Sequence, residues 1–213
     1  MKNRDRIANY ASSDAPLEPK AIKGLVLAGG SASRMGRDKG DLIYYTQPQK
    51  YRTAALLMHL GLDTYISQRE TQKRRRQFQY IIDQYENIGP MAGVLSAFEQ
   101  HQTAWLVVAC DYPLIKTKHL DYLLSQRDNT KIATVFIDEA SGFFLPTIAI
   151  YETEFFPLLR ESIARKNHSF QKLLQSNAVK ALKTQDRAFR SIDTPAAYTA
   201  IKKEIYECNF RNS

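Results

Sequence analysis

The chain has 213 residues, 44% hydrophobic and 24% charged, with 30 Lys and Arg against 22 Asp and Glu for a net charge of +8. This length and mix suit one soluble domain and exclude a disordered or collagen-like chain. No apolar run nears the roughly 20 residues of a membrane helix, and two cysteines, Cys110 and Cys208, give no disulfide framework.

In chain order, Met1 to Lys20 is polar, punctuated by Pro16 and Pro19, and lacks both helical periodicity and a signal-peptide apolar stretch. A flexible arm is expected for 1–20, a single domain for 21–208, and the cytoplasm as compartment. Ile22 to Ala28 reads as a buried strand, and Gln49 to Leu60 as a helix stopped by Gly61. Asp63 to Ser67 and Gln79 to Ile82 are short strands. Met91 to His101 is a helix after Gly89-Pro90, and Trp105 to Ala109 is the next strand. Leu120, Leu123 and Leu124 mark a helix, and Ile132 to Ile137 a strand. Phe143 to Tyr151, interrupted by Pro146, suits an edge or bent strand. Glu152 to Ala164, Ser169 to Leu174 and Ala196 to Tyr206 read as helices. The β-α-β alternation predicts an α/β fold, a mainly parallel sheet with helices on both faces.

In such folds ligands bind at the carboxyl ends of the strands. Three polar elements leave strands at that edge: the Gly29-Gly30 turn, Asp83 and Asp111. The glycine turn has neither P-loop nor dinucleotide spacing. Its amides can wrap a phosphate chain, and Arg34 and Lys39 add full positive charge. Asp111, at a strand end in Val107-Val-Ala-Cys-Asp-Tyr-Pro113, suits Mg²⁺ beside phosphates, since magnesium takes few protein carboxylates. Cys110 reads as a packed apolar residue. Asp193 is either a second metal ligand or a turn residue before the Thr194-Pro195 helix start. The four histidines lack zinc-ligand spacing. The run Lys73-Arg74-Arg75-Arg76 reads as solvated surface; no nucleic-acid-binding signature accompanies it.

The motifs Leu27-Ala-Gly-Gly-Ser-Ala-Ser-Arg-Met-Gly-Arg-Asp-Lys39, Gly89-Pro-Met-Ala-Gly93, Ala109-Cys-Asp-Tyr-Pro113, Leu145-Pro-Thr-Ile-Ala-Ile150 and Ile192-Asp-Thr-Pro195 together resemble the molybdenum cofactor guanylyltransferase family. The first and third are shared across nucleotidyltransferases; the second and fourth narrow the match. The resemblance implies a Rossmann-like three-layer fold of nucleotide-diphospho-sugar transferase type. It also implies Mg²⁺-dependent transfer of GMP from GTP to molybdopterin or molybdenum cofactor, with pyrophosphate released. Leu27, Ala28, Gly29 and Gly30 would hold the nucleotide through main-chain groups, Lys39 would engage phosphate, and Asp83 would recognise guanine. Asp111 would bind Mg²⁺, and Ser67 is the nearest match to a nucleoside-holding polar residue. Arg34, Lys39 and Asp111 are thus the expected catalytic set, and Asp111 with Asp193 the metal set. Molybdoenzymes or other cofactor-pathway proteins would be the partners, with no membrane or nucleic acid. Two alternatives stand: a sister transferase using CTP or another phosphorylated acceptor, and a non-catalytic nucleotide-binding protein. The chain departs from the family in carrying Asp193 where Asn is more usual, in lacking a Gly-Lys-Pro turn at Tyr44–Gln49, and in its N-terminal arm.

Overall fold

The computed structural model describes residues 21–29 and 38–211, the last four of them in backbone only. The expected arm at 1–20, Gly30, Arg34 and the side chain of Cys208 lie outside the described residues. Seven strands alternate with six helices: β1 Ile22–Leu27, α1 Gln49–His59, β2 Thr64–Gln68, β3 Gln79–Ile82, α2 Met91–Gln100, β4 Ala104–Ala109, α3 Thr117–Ser125, β5 Ala133–Asp138, β6 Phe144–Tyr151, α4 Phe155–Ala164, α5 Phe170–Gln175, β7 Val179–Thr184 and α6 Pro195–Arg211. Two 3-10 turns, Lys39–Asp41 and Arg187–Phe189, complete the described regular structure. Among the described residues no helix is long and apolar enough to cross a membrane.

The strands form one sheet in the order β3-β2-β1-β4-β6-β5-β7, parallel except for β6, which runs antiparallel to both neighbours. From β1 through α1 the chain steps toward β3; from β3 through α2 it steps back to β4. Right-handed crossovers in opposite directions put α1 and α2 on opposite faces. Helices α1 and α3 pack side by side, while α2, α4 and α5 form the other layer. Eight of the ten residues of α2 are buried, because the sheet lies beneath it and α4 above. That is why its sequence is apolar nearly all round. Tyr151, Phe155 and Phe170 stack there, with ring centroids 4.2 Å apart for Tyr151–Phe155 and 5.7 Å for Tyr151–Phe170.

The expectation for the Pro146 segment needs correction in one respect. Strand β6 is interior, between β4 and β5, so it is not an edge; it is irregular instead. Its pairing with β4 spans only Ile148–Tyr151, and its register with β5 breaks between Val135 and Ile137. Pro146 therefore sits where the ladder has already lapsed, and its missing N–H forfeits little. The real edge on that side is β7, which the sequence pattern does not single out. Only Leu182 of β7 is buried, and Lys180 and Lys183 on it discourage pairing with another chain.

A second, smaller core joins Leu42, Tyr44, Ile192 and Ile205, with Tyr198 and Ile201 packed against it. Tyr44 meets Tyr198 edge-on at 5.0 Å, and the Tyr198 hydroxyl donates to the Ile43 carbonyl at 3.1 Å. This cluster docks α6 onto the segment that follows the 3-10 turn at Lys39.

Glu152, fully buried at the end of β6, accepts two hydrogen bonds from Arg127, Nε to Oε1 at 2.7 Å and NH2 to Oε2 at 2.8 Å. Removing one partner of such a pair leaves a buried charge uncompensated. Glu152→Ala is expected to lower unfolding stability by about 3–5 kcal/mol, read from the denaturant midpoint. A loss below about 1 kcal/mol would show the pair to be worth no more than a surface one.

Candidate active site

Strands β1 to β4 all end at one edge of the sheet, and the sheet's hydrogen bonding continues one step past each end. Ala28 donates to the Ser67 carbonyl at 2.8 Å, Asp83 to the Gln68 carbonyl at 3.0 Å, and Cys110 to the Leu27 carbonyl at 3.1 Å. Residues 28, 83 and 110 are thereby fixed in mutual register, and Asp111 follows the last of them. The Asp111 carbonyl in turn accepts from the Ile192 amide at 2.9 Å, which brings in the lead to α6.

Lys39 enters this edge on its 3-10 turn, which Asp38 caps by accepting from the Gly40 amide at 2.9 Å. The Lys39 ammonium lies 3.6 Å from Asp111 Oδ2 and hydrogen-bonds Asp193, 154 positions away in sequence. Thr194 Oγ1 accepts from the Ala197 amide at 3.2 Å, so the capping role belongs to Thr194. That leaves the Asp193 carboxylate directed at Lys39.

Two acids and one cation share a half-buried site, and both burial and their mutual field show in their titration. Burial, opposed by Lys39 and reinforced by Asp193, pushes the Asp111 carboxyl up to about 6. Burial works against the charge on Lys39, but the bond to Asp193 and the field of Asp111 outweigh it, so its pKa is raised. Asp111 Oδ1 is buried and has no hydrogen-bond partner. An orphaned carboxylate oxygen beside a second carboxylate is a donor set suited to a hard divalent cation. Among the described residues no cluster of three or more His, Cys, Asp or Glu offers a metal a fuller cage.

A second group lies at the ends of β2 and β3. Ser67 Oγ donates to Asp83 Oδ1, and burial raises the Asp83 carboxyl above its ordinary value, against the Ser67 hydrogen bond and Arg69. Two glycines make room. A Cβ on Gly93 would lie 2.2 Å from Ser67 Oγ, and one on Gly29 would lie 2.1 Å from Asp83 Oδ2. Both contacts are too short to stand, so a side chain at either position would displace the Ser67–Asp83 pair.

The structure therefore brings Lys39, Asp111 and Asp193 into one cluster, and Ser67, Asp83 and Gly29 into a second. Leu27 and Ala28, at the end of β1, adjoin both. Cys110 is buried and burial pushes its thiol up, which suits packing rather than nucleophilic chemistry. The run 73–76 is exposed, with Arg75 lying 4.4 Å over the Tyr51 ring. Sequence reasoning passed over two residues that support the cluster, Gln72 and Lys50. Lys50 is fully buried in α1 and pairs with Asp41 Oδ1 at 2.9 Å. The buried residues of α1 also include Gln49 and Thr53, so no break in an apolar face marks Lys50 in the sequence.

A mainly parallel seven-stranded sheet in this order has the fold of the nucleotide-diphospho-sugar transferases. The chain belongs to the MobA-like NTP transferase domain family, whose signature matches residues 24–183, and is a nucleotidyltransferase by that membership. It is 29% identical over 178 residues to a molybdenum cofactor guanylyltransferase from Pseudomonas putida, covering 80% of this chain and 92% of that one. A molybdenum cofactor biosynthesis bifunctional protein from Synechocystis sp. is 28% identical over 142 residues, 65% of this chain; the match spans 41% of that longer protein. In fold the chain is similar to molybdopterin-guanine dinucleotide biosynthesis protein A from Archaeoglobus fulgidus, with a TM-score of 0.72 and 19% identity over 87% of this chain and 99% of the other.

Because the folded-state value of Asp111 lies above its unfolded value, this group favours the folded state below about pH 4. That contribution is lost as pH rises through about 6. Asp111→Asn is expected to leave stability nearly unchanged at pH 4 and to raise it by on the order of 1–3 kcal/mol at pH 8. Urea unfolding at the two pH values checks this; equal effects at both would contradict the burial argument.

Proposed function

We propose that the protein moves GMP from GTP onto the terminal phosphate of molybdopterin or molybdenum cofactor, releasing pyrophosphate. The observation that carries this reading is the meeting of Lys39 with Asp111 and Asp193 at the carboxyl edge of the sheet, where β1 and β4 end. The family membership and the named relatives support it.

In the proposed reaction an acceptor phosphate oxygen attacks the α-phosphorus of GTP, and the bond from that phosphorus to the bridging oxygen breaks. Pyrophosphate leaves with the electron pair. Little covalent work falls to the protein; positioning and charge neutralisation supply the rate. Leu27, Ala28, Gly29 and Gly30 hold the nucleotide through main-chain groups. Lys39 and Arg34 neutralise charge that develops on the leaving pyrophosphate. Asp111 and Asp193 would hold Mg²⁺, which supplies Lewis-acid neutralisation of phosphate charge when bound. Lys39 keeps the two acids from repelling each other before ligands arrive. At the nucleoside end, Asp83 accepts from the N1–H and N2–H groups of guanine, with Ser67 holding the carboxylate in place. The last residues of β2 and β3 thus serve the base, and those of β1 and β4 serve the phosphates.

Pyrophosphate release with GTP, Mg²⁺ and molybdopterin, each omitted in turn, tests the reaction. Product with CTP and none with GTP would assign the chain to the sister chemistry. Lys39→Ala and Asp111→Asn are expected to cost on the order of 10²–10³ in kcat or more while circular dichroism shows the fold retained. Wild-type turnover in either variant would remove that residue from the mechanism. Magnesium should raise the melting temperature of the wild type and not of Asp111→Asn. Asp83→Asn, which gives up one of two acceptor oxygens, is expected to raise KM for GTP by about tenfold with a smaller change in kcat. An unchanged KM would mean that guanine is read elsewhere.

A further inference from the structure

The turn that carries Lys39 is latched at both flanks by one loop, residues 69–78 between β2 and β3. On the upstream side Gln72 Nε2 donates to the Ala28 carbonyl at 2.9 Å and to the Asp38 carboxylate. Ala28 closes β1 and Asp38 begins the 3-10 turn, so a single side-chain amide ties the two described ends of the glycine segment together. The Gln72 side chain is itself held: its Oε1 accepts from the Arg69 amide at 2.6 Å, and the Gln72 carbonyl accepts from Gln68 Nε2 at 3.1 Å. On the downstream side buried Lys50 reaches Asp41 Oδ1 at 2.9 Å and the Lys73 carbonyl at 3.1 Å.

We propose that Gln72 is a positioning residue for nucleotidyl transfer: its amide fixes Asp38 against Ala28 and so sets where the Lys39 ammonium stands between Asp111 and Asp193. The chemistry requires a donor at this point. Ala28 offers a carbonyl and Asp38 a carboxylate, both acceptors, and the two donor hydrogens of the Gln72 amide join them. Lys39 adjoins Asp38, so a shift of the cap moves the base of its side chain directly. A misplacement of about 1 Å at a charge-stabilising group costs about a hundredfold in rate. The proposal deepens the functional reading above and rests on it for the role of Lys39, but the clamp itself has an independent readout.

The isosteric Gln72→Glu keeps the packing and replaces the donor with a third acceptor; Gln72→Ala removes both. Each is expected to lower kcat for pyrophosphate release by about tenfold to a hundredfold, with a smaller change in KM for GTP and little change in the unfolding midpoint. In a Lys39→Ala background Gln72→Ala should cost almost nothing further, because its effect runs through Lys39. Additive losses, or wild-type kcat in Gln72→Glu, would overturn the proposal. Independently of turnover, amide hydrogen exchange at Gly40, Asp41 and Leu42 should quicken by about tenfold in both Gln72 variants; unchanged exchange would overturn the clamp. Should the wild type release no pyrophosphate from GTP and molybdopterin, the reading of the reaction fails, while hydrogen exchange still decides whether Gln72 holds the turn.

Discussion

Three charges drawn from distant parts of the chain meet at one point, and much of the architecture can be understood as what that meeting requires. Lys39 comes from the turn after β1, Asp111 from the end of β4 and Asp193 from the start of α6. Ordering them together costs conformational entropy and desolvation. The sheet supplies part of the compensation, because β1 and β4 are adjacent and their ends share hydrogen bonds. The small core of Leu42, Tyr44, Ile192 and Ile205 supplies another part by fastening α6 to the segment that follows Lys39. One support is hydrogen bonding and the other apolar packing, and each sets the reach of a charged side chain.

The tyrosines at 44 and 45 gain meaning in this light. As sequence they read as a departure, since a Gly-Lys-Pro turn is missing there. In the fold Tyr44 packs against Tyr198, while the Tyr45 ring lies under Arg52 and its hydroxyl donates to the Pro113 carbonyl at 3.3 Å. The segment thus holds both the α6 docking surface and the loop beyond Asp111. Bulky rings replace a flexible turn with a packed one, and the site is braced from behind.

What the sequence made legible follows from which signals are local. Strand β1, wholly buried β4 with an acid two residues beyond its end, and α2 after Gly89-Pro90 each carry a strong short-range pattern and lie close to where they were expected. Strand β6 was half legible: its extended character and irregularity showed, but its interior place depends on a non-local pairing that no window of residues contains. Strand β7 was passed over because an exposed edge guarded by lysines has weak alternation. Gln72 and Lys50 stayed hidden for a related reason. They sit in or under a polar, cationic stretch whose composition says only that it is solvated, and the partners that give them purpose are a carbonyl and two acids elsewhere in sequence.

The two clusters differ in electrostatic character, and the difference bears on how one fold can serve several chemistries. At the ends of β1 and β4 two acids and a lysine leave the described side chains with one negative charge in excess when all are ionised. Burial is the main cause of the raised value at Asp111, with Lys39 opposing it and Asp193 adding to it. A divalent cation would relieve it, and an asparagine at 193 would relieve it too, by a different route that leaves Lys39 with a single acid. At the ends of β2 and β3 the Asp83 carboxylate is desolvated and steadied by a hydroxyl, with glycines on two sides admitting the close approach. The two clusters therefore rest on separate pairs of strand ends, β1 and β4 for the first and β2 and β3 for the second. The loop from 69 to 78 joins the two: it leaves the sheet at the end of β2, beside Ser67, yet reaches the turn that carries Lys39 through the bonds from Gln72 to Ala28 and Asp38.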